Sequence, residues 1–194
     1  SAQLQIWSVF ENKRDGSAFR DAKTGRIIFQ IHSRQDVGRG MAADIDPTTP
    51  GVEMWSASQR GYYDVKGQHH QPHIALPQNS AVWWDGDLLR ELLDRNAILK
   101  YDHLNPAVHT LVNFRAQGCS FNNGSKQNPC LSADILGDWR EEVILRNHAS
   151  TQLHIYSTPT PTSRRFTALM LDIPYRLSVA TQNVGYNQPP HLGY

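Results

Sequence analysis

Residues 119–143 read CSFNNGSKQNPCLSADILGDWREEV, and two chemistries stand back to back in them. Asn122, Asn123, Gly124, Ser125 and Lys126 make a polar turn with a single cation, framed by Cys119 and Cys130. Ala133 to Val143 then runs from an apolar strand end through a tight acidic loop into a further strand. Asp134, Asp138 and Glu142 are spaced evenly around Gly137. Carboxylates set around a glycine turn and closed by a glutamate suit a hard cation such as calcium. That ion takes six to eight oxygens at about 2.3–2.6 Å, and backbone carbonyls such as that of Leu136 can complete the shell.

One acidic turn is weak support, because Asp and Gly are common turn residues. The pattern recurs, however. Ala43-Asp44-Ile45-Asp46 leads through Pro47, Thr48, Thr49, Pro50, Gly51 and Val52 to Glu53, beginning with the same Ala-Asp-Ile. A shorter version, Asp85-Gly86-Asp87 followed by Glu91, lies between the two. Short alternating strands at residues 4–10, 52–56, 108–114 and 152–156 surround these loops, and 19–31 reads as a hairpin turning at Lys23-Thr24-Gly25. Residues 87–94, DLLRELLD, fit either a short helix or a hairpin turning at Arg95-Asn96. The scarcity of helical pattern elsewhere favours the hairpin. Residues 176–180 read as one more strand. A motif recurring roughly every 40–50 residues among short strands predicts an all-β chain arranged as a β-propeller, with about four blades over residues 1–194.

Composition narrows the function classes. The 194 residues carry a formal net charge of +1, so there is no electrostatic footprint for nucleic acid or an anionic membrane. No apolar run is long enough for a spanning helix. The chain opens on Ser1 without Met, as a processed product or a fragment would. Cys119 and Cys130 fit either a disulfide around the polar turn or two free thiols, and their spacing is not a zinc pattern. His69, His70 and His73 have no acidic or cysteine partner at a metal-ligand spacing and read as solvated loop histidines. Of Trp83 and Trp84, neighbours in a strand face opposite ways, so at most one can be offered for stacking and the other is core.

Four stretches together, GRGMAADIDPTTPGVEMW (38–55), AVWWDGDLLRELLD (81–94), NNGSKQNPCLSADILGDWREEVILR (122–146) and SVATQNVGYNQPPH (178–191), resemble polysaccharide lyase family 11, the rhamnogalacturonan lyases of the pectin main chain. The resemblance covers nearly the whole chain and corresponds to the C-terminal part of the family's catalytic domain. It implies an eight-bladed, calcium-rich propeller and a secreted, cell-surface or periplasmic location. It also implies β-elimination at a galacturonate, with O4 leaving and a 4,5-unsaturated uronate remaining. The proton on C5 is hardly acidic beside an anionic carboxylate, so a positive group must neutralise that carboxylate in a preorganised site. Two departures are local: Ser125 stands where the family has Thr, and Cys130 where it has another residue.

The resemblance gives residues their expected roles. Lys126 is the first candidate for catalysis, as base or as charge neutraliser. Arg39, between Gly38 and Gly40, offers a fork suited to a carboxylate. Tyr186 is the candidate acid for the leaving oxygen. Asn123, Gly124, Ser125, Asn183 and Gly185 read as substrate contacts. Asp44, Asp46 and Glu53 form one expected calcium loop, Asp134, Asp138 and Glu142 another, and Asp85 and Asp87 a third. The expected partners are the polysaccharide and either the missing N-terminal blades or a second copy, with no nucleic acid and no membrane. A calcium-stabilised binding propeller without catalysis, or an inactive piece of the lyase, would use the same acidic repeats.

Overall fold

The computed structural model describes residues 4–184 and 188–193. They fall into two units, one built on residues up to 78 with 102–107, the other on 79–101 with the remainder.

In the first unit, β1 (Gln5–Val9), β2 (Ser17–Asp21) and β3 (Ile27–Ile31) form an antiparallel sheet in that order. The expected hairpin between β2 and β3 is present, and Asp21 Oδ1 fixes its turn by accepting the Thr24 N–H at 2.7 Å. The second sheet runs β4 (Gly40–Ala43), β5 (Glu53–Ser56), β6 (Tyr62–Tyr63) and β7 (His69–His70). The two sheets meet where Trp7 Nε1 donates to the Trp55 carbonyl at 3.0 Å and where Phe29 approaches Tyr63, ring centres 6.3 Å apart. A Cβ at Gly40 would lie 2.3 Å from the Val9 side chain, so only glycine admits this approach.

The second unit has a sheet of β8 (Ser80–Val82), β9 (Glu91–Asp94), β10 (Ala97–Asp102) and β11 (Ala107–Asn113). Its other sheet is centred on β14 (Glu142–Asn147), paired with β12 (Cys119–Ser120), β13 (Leu131–Ala133) and β15 (Leu153–Tyr156). Both sheets bury their inner faces in one core, with Val82, Trp84, Leu93 and Ile98 from the first side and Val143 and Leu145 from the other. The hairpin turning at Arg95-Asn96 is present rather than the helix, although its first strand is only Glu91–Asp94 and residues 87–90 remain in the loop before it. Arg95 and Asn96 adopt φ values of 48° and 64°, the left-handed pair that a two-residue turn between twisted strands demands.

The propeller expectation is corrected by this topology. The four sheets are separate, none is closed, and among the described residues β1 pairs only with β2. The chain is all-β, with antiparallel sheets packed in pairs within each unit on the principle of a β-sandwich. The recurring acidic motif is real, but it encodes a strand–loop–strand unit. Such a unit specifies its own hairpin and carries no instruction for joining sheets into a ring.

Two smaller expectations also change. Residues 176–180 are not a strand but belong to a helix, α1 (Ile173–Thr181). Asp172 caps it by accepting the Tyr175 N–H at 2.7 Å, and Pro174 sits in its first turn. Tyr175 is buried and Val179, four residues on, packs on the same small core with Trp139 and Leu169. The histidine segment is likewise not a loop: His69 and His70 form β7, stacked on Tyr63 and Tyr62 at 4.5 and 5.3 Å.

Candidate functional site

Each acidic loop is closed the same way. The glutamate that opens the following strand turns one oxygen back onto two backbone N–H groups of the loop. Glu53 Oε2 accepts from Ile45 and Asp46 at 2.8 and 3.0 Å. Glu91 Oε2 accepts from Trp84 and Asp85 at 2.9 and 3.2 Å. Glu142 Oε2 accepts from Ile135 and Leu136, both at 3.0 Å. All three glutamates are buried. Their first task is therefore to satisfy turn N–H groups that would otherwise be orphaned.

The middle loop contains its own cation. Among the described residues, only Asp85, Asp87 and Glu91 bring three acidic side chains together, with oxygens within 4.8 Å of one another. Lys100, from the neighbouring strand β10, places its ammonium on all three. It donates to Asp85, to Asp87 at 2.7 Å and to Glu91 Oε1 at 3.0 Å. Burial alone would lower the Lys100 ammonium, but hydrogen bonds to Asp85 and Asp87 outweigh it and raise its pKa. Burial, reinforced by the Asp85 charge, pushes Glu91 up to about 7 against the pull of Lys100. These residues fit a cation, and a lysine supplies it; calcium does not fit there while Lys100 is in place.

The other two loops are satisfied differently. Asp46 receives the Thr48 N–H and hydroxyl on one oxygen, at 2.9 and 2.6 Å, and the Tyr62 hydroxyl on the other at 2.5 Å. Thr49 donates to the second oxygen of Glu53. Burial pushes Glu53 up to about 7, and the bonds from Thr49 and the backbone offset this only in part. In the third loop Asp134 accepts the Gly137 N–H at 2.8 Å and the Leu169 N–H at 2.7 Å. Gly137 takes φ +79° to allow that turn. Asp138 pairs with Arg140 at 2.5 Å. Burial raises Glu142, and the charges of Asp138 and Asp134 add to it. An ion in either loop would find carboxylates already hydrogen-bonded and would draw on backbone carbonyls and water for much of its shell.

The polar turn is tightly built. Asn122 and Asn128 exchange backbone bonds at 2.7 and 3.1 Å, closing the segment at its base. Within it, Gly124–Lys126 form one 3-10 turn between Asn123 and Gln127, whose φ values are 60° and 50°. Asn123, Gly124 and Ser125 are exposed and Lys126 is half-buried. The C-terminal segment is delivered to the same place. Gln182 bonds Ser132 on β13, and Asn183 Nδ2 donates to the Cys130 carbonyl at 2.5 Å. Asn122 Nδ2 reaches the Cys130 sulfur at 3.3 Å. Asn123, Gly124, Ser125, Lys126 and Asn183 are thus brought to one end of the second unit. Cys119 and Cys130 are free thiols, and Cys119 is buried against the Tyr156 hydroxyl at 2.9 Å.

Arg39 belongs to the first unit, immediately before β4, and is buried. Gly185 and Tyr186 lie outside the described residues. Trp84 is core, while Trp83 is half-buried with the Arg90 guanidinium 4.2 Å above its ring, which covers that face.

Sequence reading missed Lys100 and a buried ionic network. Arg90 donates to Glu141 at 2.9 Å, to the Ala81 carbonyl at 3.0 Å and to the Pro190 carbonyl at 2.9 Å. Tyr175 donates to the other Glu141 oxygen at 2.7 Å and accepts the Asp134 N–H at 3.0 Å. Burial pushes Glu141 up, against the attraction of Arg90. The network ties the middle loop, the third loop, α1 and the C-terminal segment together. The available signal was the doubled Glu141-Glu142: neighbouring strand residues face opposite ways, so both could not close one loop.

Residues 1–194 match the family model for the C-terminal domain of rhamnogalacturonan lyase family 11. The chain is 47% identical over 193 residues to rhamnogalacturonan endolyase YesW of Bacillus subtilis, covering 98% of this chain and 30% of that protein. The crystal structure of YesW superposes with a TM-score of 0.93. Rhamnogalacturonan exolyase YesX of the same organism is 42% identical over 208 residues, covering 98% and 34%. The solved Bacillus licheniformis rhamnogalacturonan lyase PL11 is 50% identical with a TM-score of 0.92, covering 98% and 32%. This chain therefore spans about a third of the length of these relatives. The chain belongs to rhamnogalacturonan lyase family 11 and corresponds to its C-terminal domain.

Proposed function

We propose that this chain supplies part of the active site of a rhamnogalacturonan lyase, which breaks the rhamnose–galacturonate bond by β-elimination. One observation carries the reading. The turn bearing Lys126 is closed by paired backbone bonds at Asn122 and Asn128, and Asn183 is pinned beside it through Cys130. A cation on a rigid turn, flanked by amides and a hydroxyl, suits a hydroxyl-rich anionic sugar. In this reading Lys126 removes the C5 proton, while Asn123, Gly124, Ser125 and Asn183 orient the sugar. Gly185 and Tyr186 keep the roles that family resemblance gives them, the first touching the sugar and the second protonating O4.

Calcium is a structural ion in this reading and takes no part in proton transfer. Lys100 fills the middle loop, so calcium would belong to Asp44, Asp46 and Glu53 or to Asp134, Asp138 and Glu142. Ultraviolet absorbance of the new double bond is the test, on rhamnogalacturonan, for this chain and for the longer lyase that contains it. Lys126→Ala should lower kcat by roughly 10²–10⁴-fold, and Lys126→Arg, which keeps charge but not basicity, should do little better. Rescue by Arg would make Lys126 a charge neutraliser. A rate within a few-fold of the parent in Lys126→Ala would refute the catalytic assignment. Activity only in the longer polypeptide would make this chain an incomplete site.

A further inference from the structure

The second unit carries an open cleft of about 420 Å³ beside the Lys126 turn, lined by Arg95, Asn96, Arg115, Ser125 and Gln127. None of the lining residues is acidic, and two are arginines. Ser125 and Gln127 come from the polar turn on either side of Lys126. Arg95 and Arg115 come from chain segments that nothing in the lyase reading requires.

The cleft is held by backbone. Arg95 and Asn96 occupy the left-handed hairpin turn between β9 and β10. The Asn96 side-chain oxygen accepts the Phe121 N–H at 3.1 Å, and its carbonyl accepts the Phe114 N–H at 2.8 Å. One asparagine thus ties the Arg95 turn both to the strand entering the polar turn and to the residue before Arg115. The Arg95 side chain is 85% exposed, and the Asp94 carboxylate lies 3.9 Å from its Nε, at the outer limit of an ion pair. Asp94 in turn accepts Asn79 Nδ2 at 2.5 Å.

We infer that this cleft is a binding subsite for a uronate carboxylate of the substrate chain, gripped by Arg95 and Arg115 while Gln127 bonds its hydroxyls and Ser125 stays with the sugar at Lys126. The inference rests on the lyase reading of the Lys126 turn and extends it by two sugars, to the next galacturonate of the alternating chain. A guanidinium presents paired N–H donors that match a carboxylate, and two of them in a cleft lined by no acidic residue select an acidic sugar over a neutral one. Arg95 and Arg115 are positioning residues, since the bond that breaks lies at Lys126.

The test uses the longer lyase containing this chain, with Arg95→Gln and Arg115→Gln combined; both sites are exposed, so the fold should stand. KM for rhamnogalacturonan should rise about tenfold with kcat within twofold, and the rise should shrink as salt is added. Arg95→Lys with Arg115→Lys should recover part of the loss. Binding is measured in parallel with a saturated oligomer of alternating rhamnose and galacturonate and with its methyl ester. The parent should prefer the acid about tenfold, and the double Gln variant should lose that preference. Unchanged KM, or equal loss of acid and ester binding, would overturn the inference. A parent that binds the acid selectively but never cleaves would sink the lyase reading and leave the subsite standing.

Discussion

Gln182 uses both ends of its amide on one residue, accepting the Ser132 N–H at 2.7 Å and donating to the Ser132 carbonyl at 2.8 Å. A single side chain therefore does what a paired strand would do at the edge of β13. It also fixes where the chain leaves α1, one residue before Asn183 reaches Cys130. Gln182→Met keeps the volume and removes both bonds. Each buried peptide group left unpaired costs about 1–3 kcal/mol. Denaturant melts should show a loss of that order, with the midpoint lowered and the slope unchanged. An unchanged midpoint would mean that water replaces the amide.

Lys100 should behave as an internal counter-ion. Lys100→Met leaves three acidic side chains around an empty centre while preserving most of the stem. We expect a loss of roughly 2–4 kcal/mol, below that of a fully buried pair because the Lys100 side chain is 26% exposed. We also expect calcium to restore part of the loss in the variant more than it stabilises the parent, since the vacated oxygens lie within 4.8 Å of one another. Thermal melts with EDTA and with calcium distinguish these outcomes. A variant as stable as the parent in EDTA would show that the three acids tolerate one another without a cation.

Stability should fall as pH rises through the weakly acidic range. Burial holds Glu53 at about 7, above its ordinary value of 4.5, so the folded chain keeps a proton there that the unfolded chain releases. The folded state binds more protons across that interval. Its advantage is complete below pH 4.5 and is lost by the time pH passes 7. Glu91, also at about 7, titrates in the same window. Glu53→Gln should flatten part of this slope, because an amide oxygen still accepts from Ile45 and Asp46. The melting temperature of the variant relative to the parent should climb between pH 5 and pH 8. A constant difference across that range would mean that Glu53 is ionised throughout.

Arg90 and Glu141 should be strongly coupled. Both are almost fully buried, and removing either leaves the other charged without its partner. Arg90→Met or Glu141→Gln alone should cost about 3–5 kcal/mol, and the double variant clearly less than the sum. Additive losses in that cycle would count against a direct pair.

Much of this was legible in the chain itself. The Arg95-Asn96 turn announced its hairpin, because two polar residues between apolar runs meet the left-handed requirement of a short turn. The Ala-Asp-Ile repeat announced the acidic loops, because spacing is all that a turn needs. Ring closure was not legible, since it depends on how sheets meet and no loop records that. Helix α1 was mistaken for a strand because Leu177 and Val179 alternate with polar Arg176 and Ser178, whereas Asp172 and Pro174 decide the matter by capping. Lys100 stayed hidden because its partners are in the preceding loop and at the start of the preceding strand, and a lysine in an alternating strand looks solvated until the register is known.

The glutamate clamp frees the loop interior from the task of holding the hairpin together. Glu53, Glu91 and Glu142 grip the backbone near the start of each loop, and the residues between them carry threonines in one copy, a lysine partner in the next and an arginine pair in the third. A duplicated hairpin with this closure behaves as a cassette: its contents can be exchanged while the strands keep their register. Grafting the 86–90 segment between the clamped residues of another copy, with a lysine at the matching strand position, would convert one kind of loop into another without redesigning the sheet.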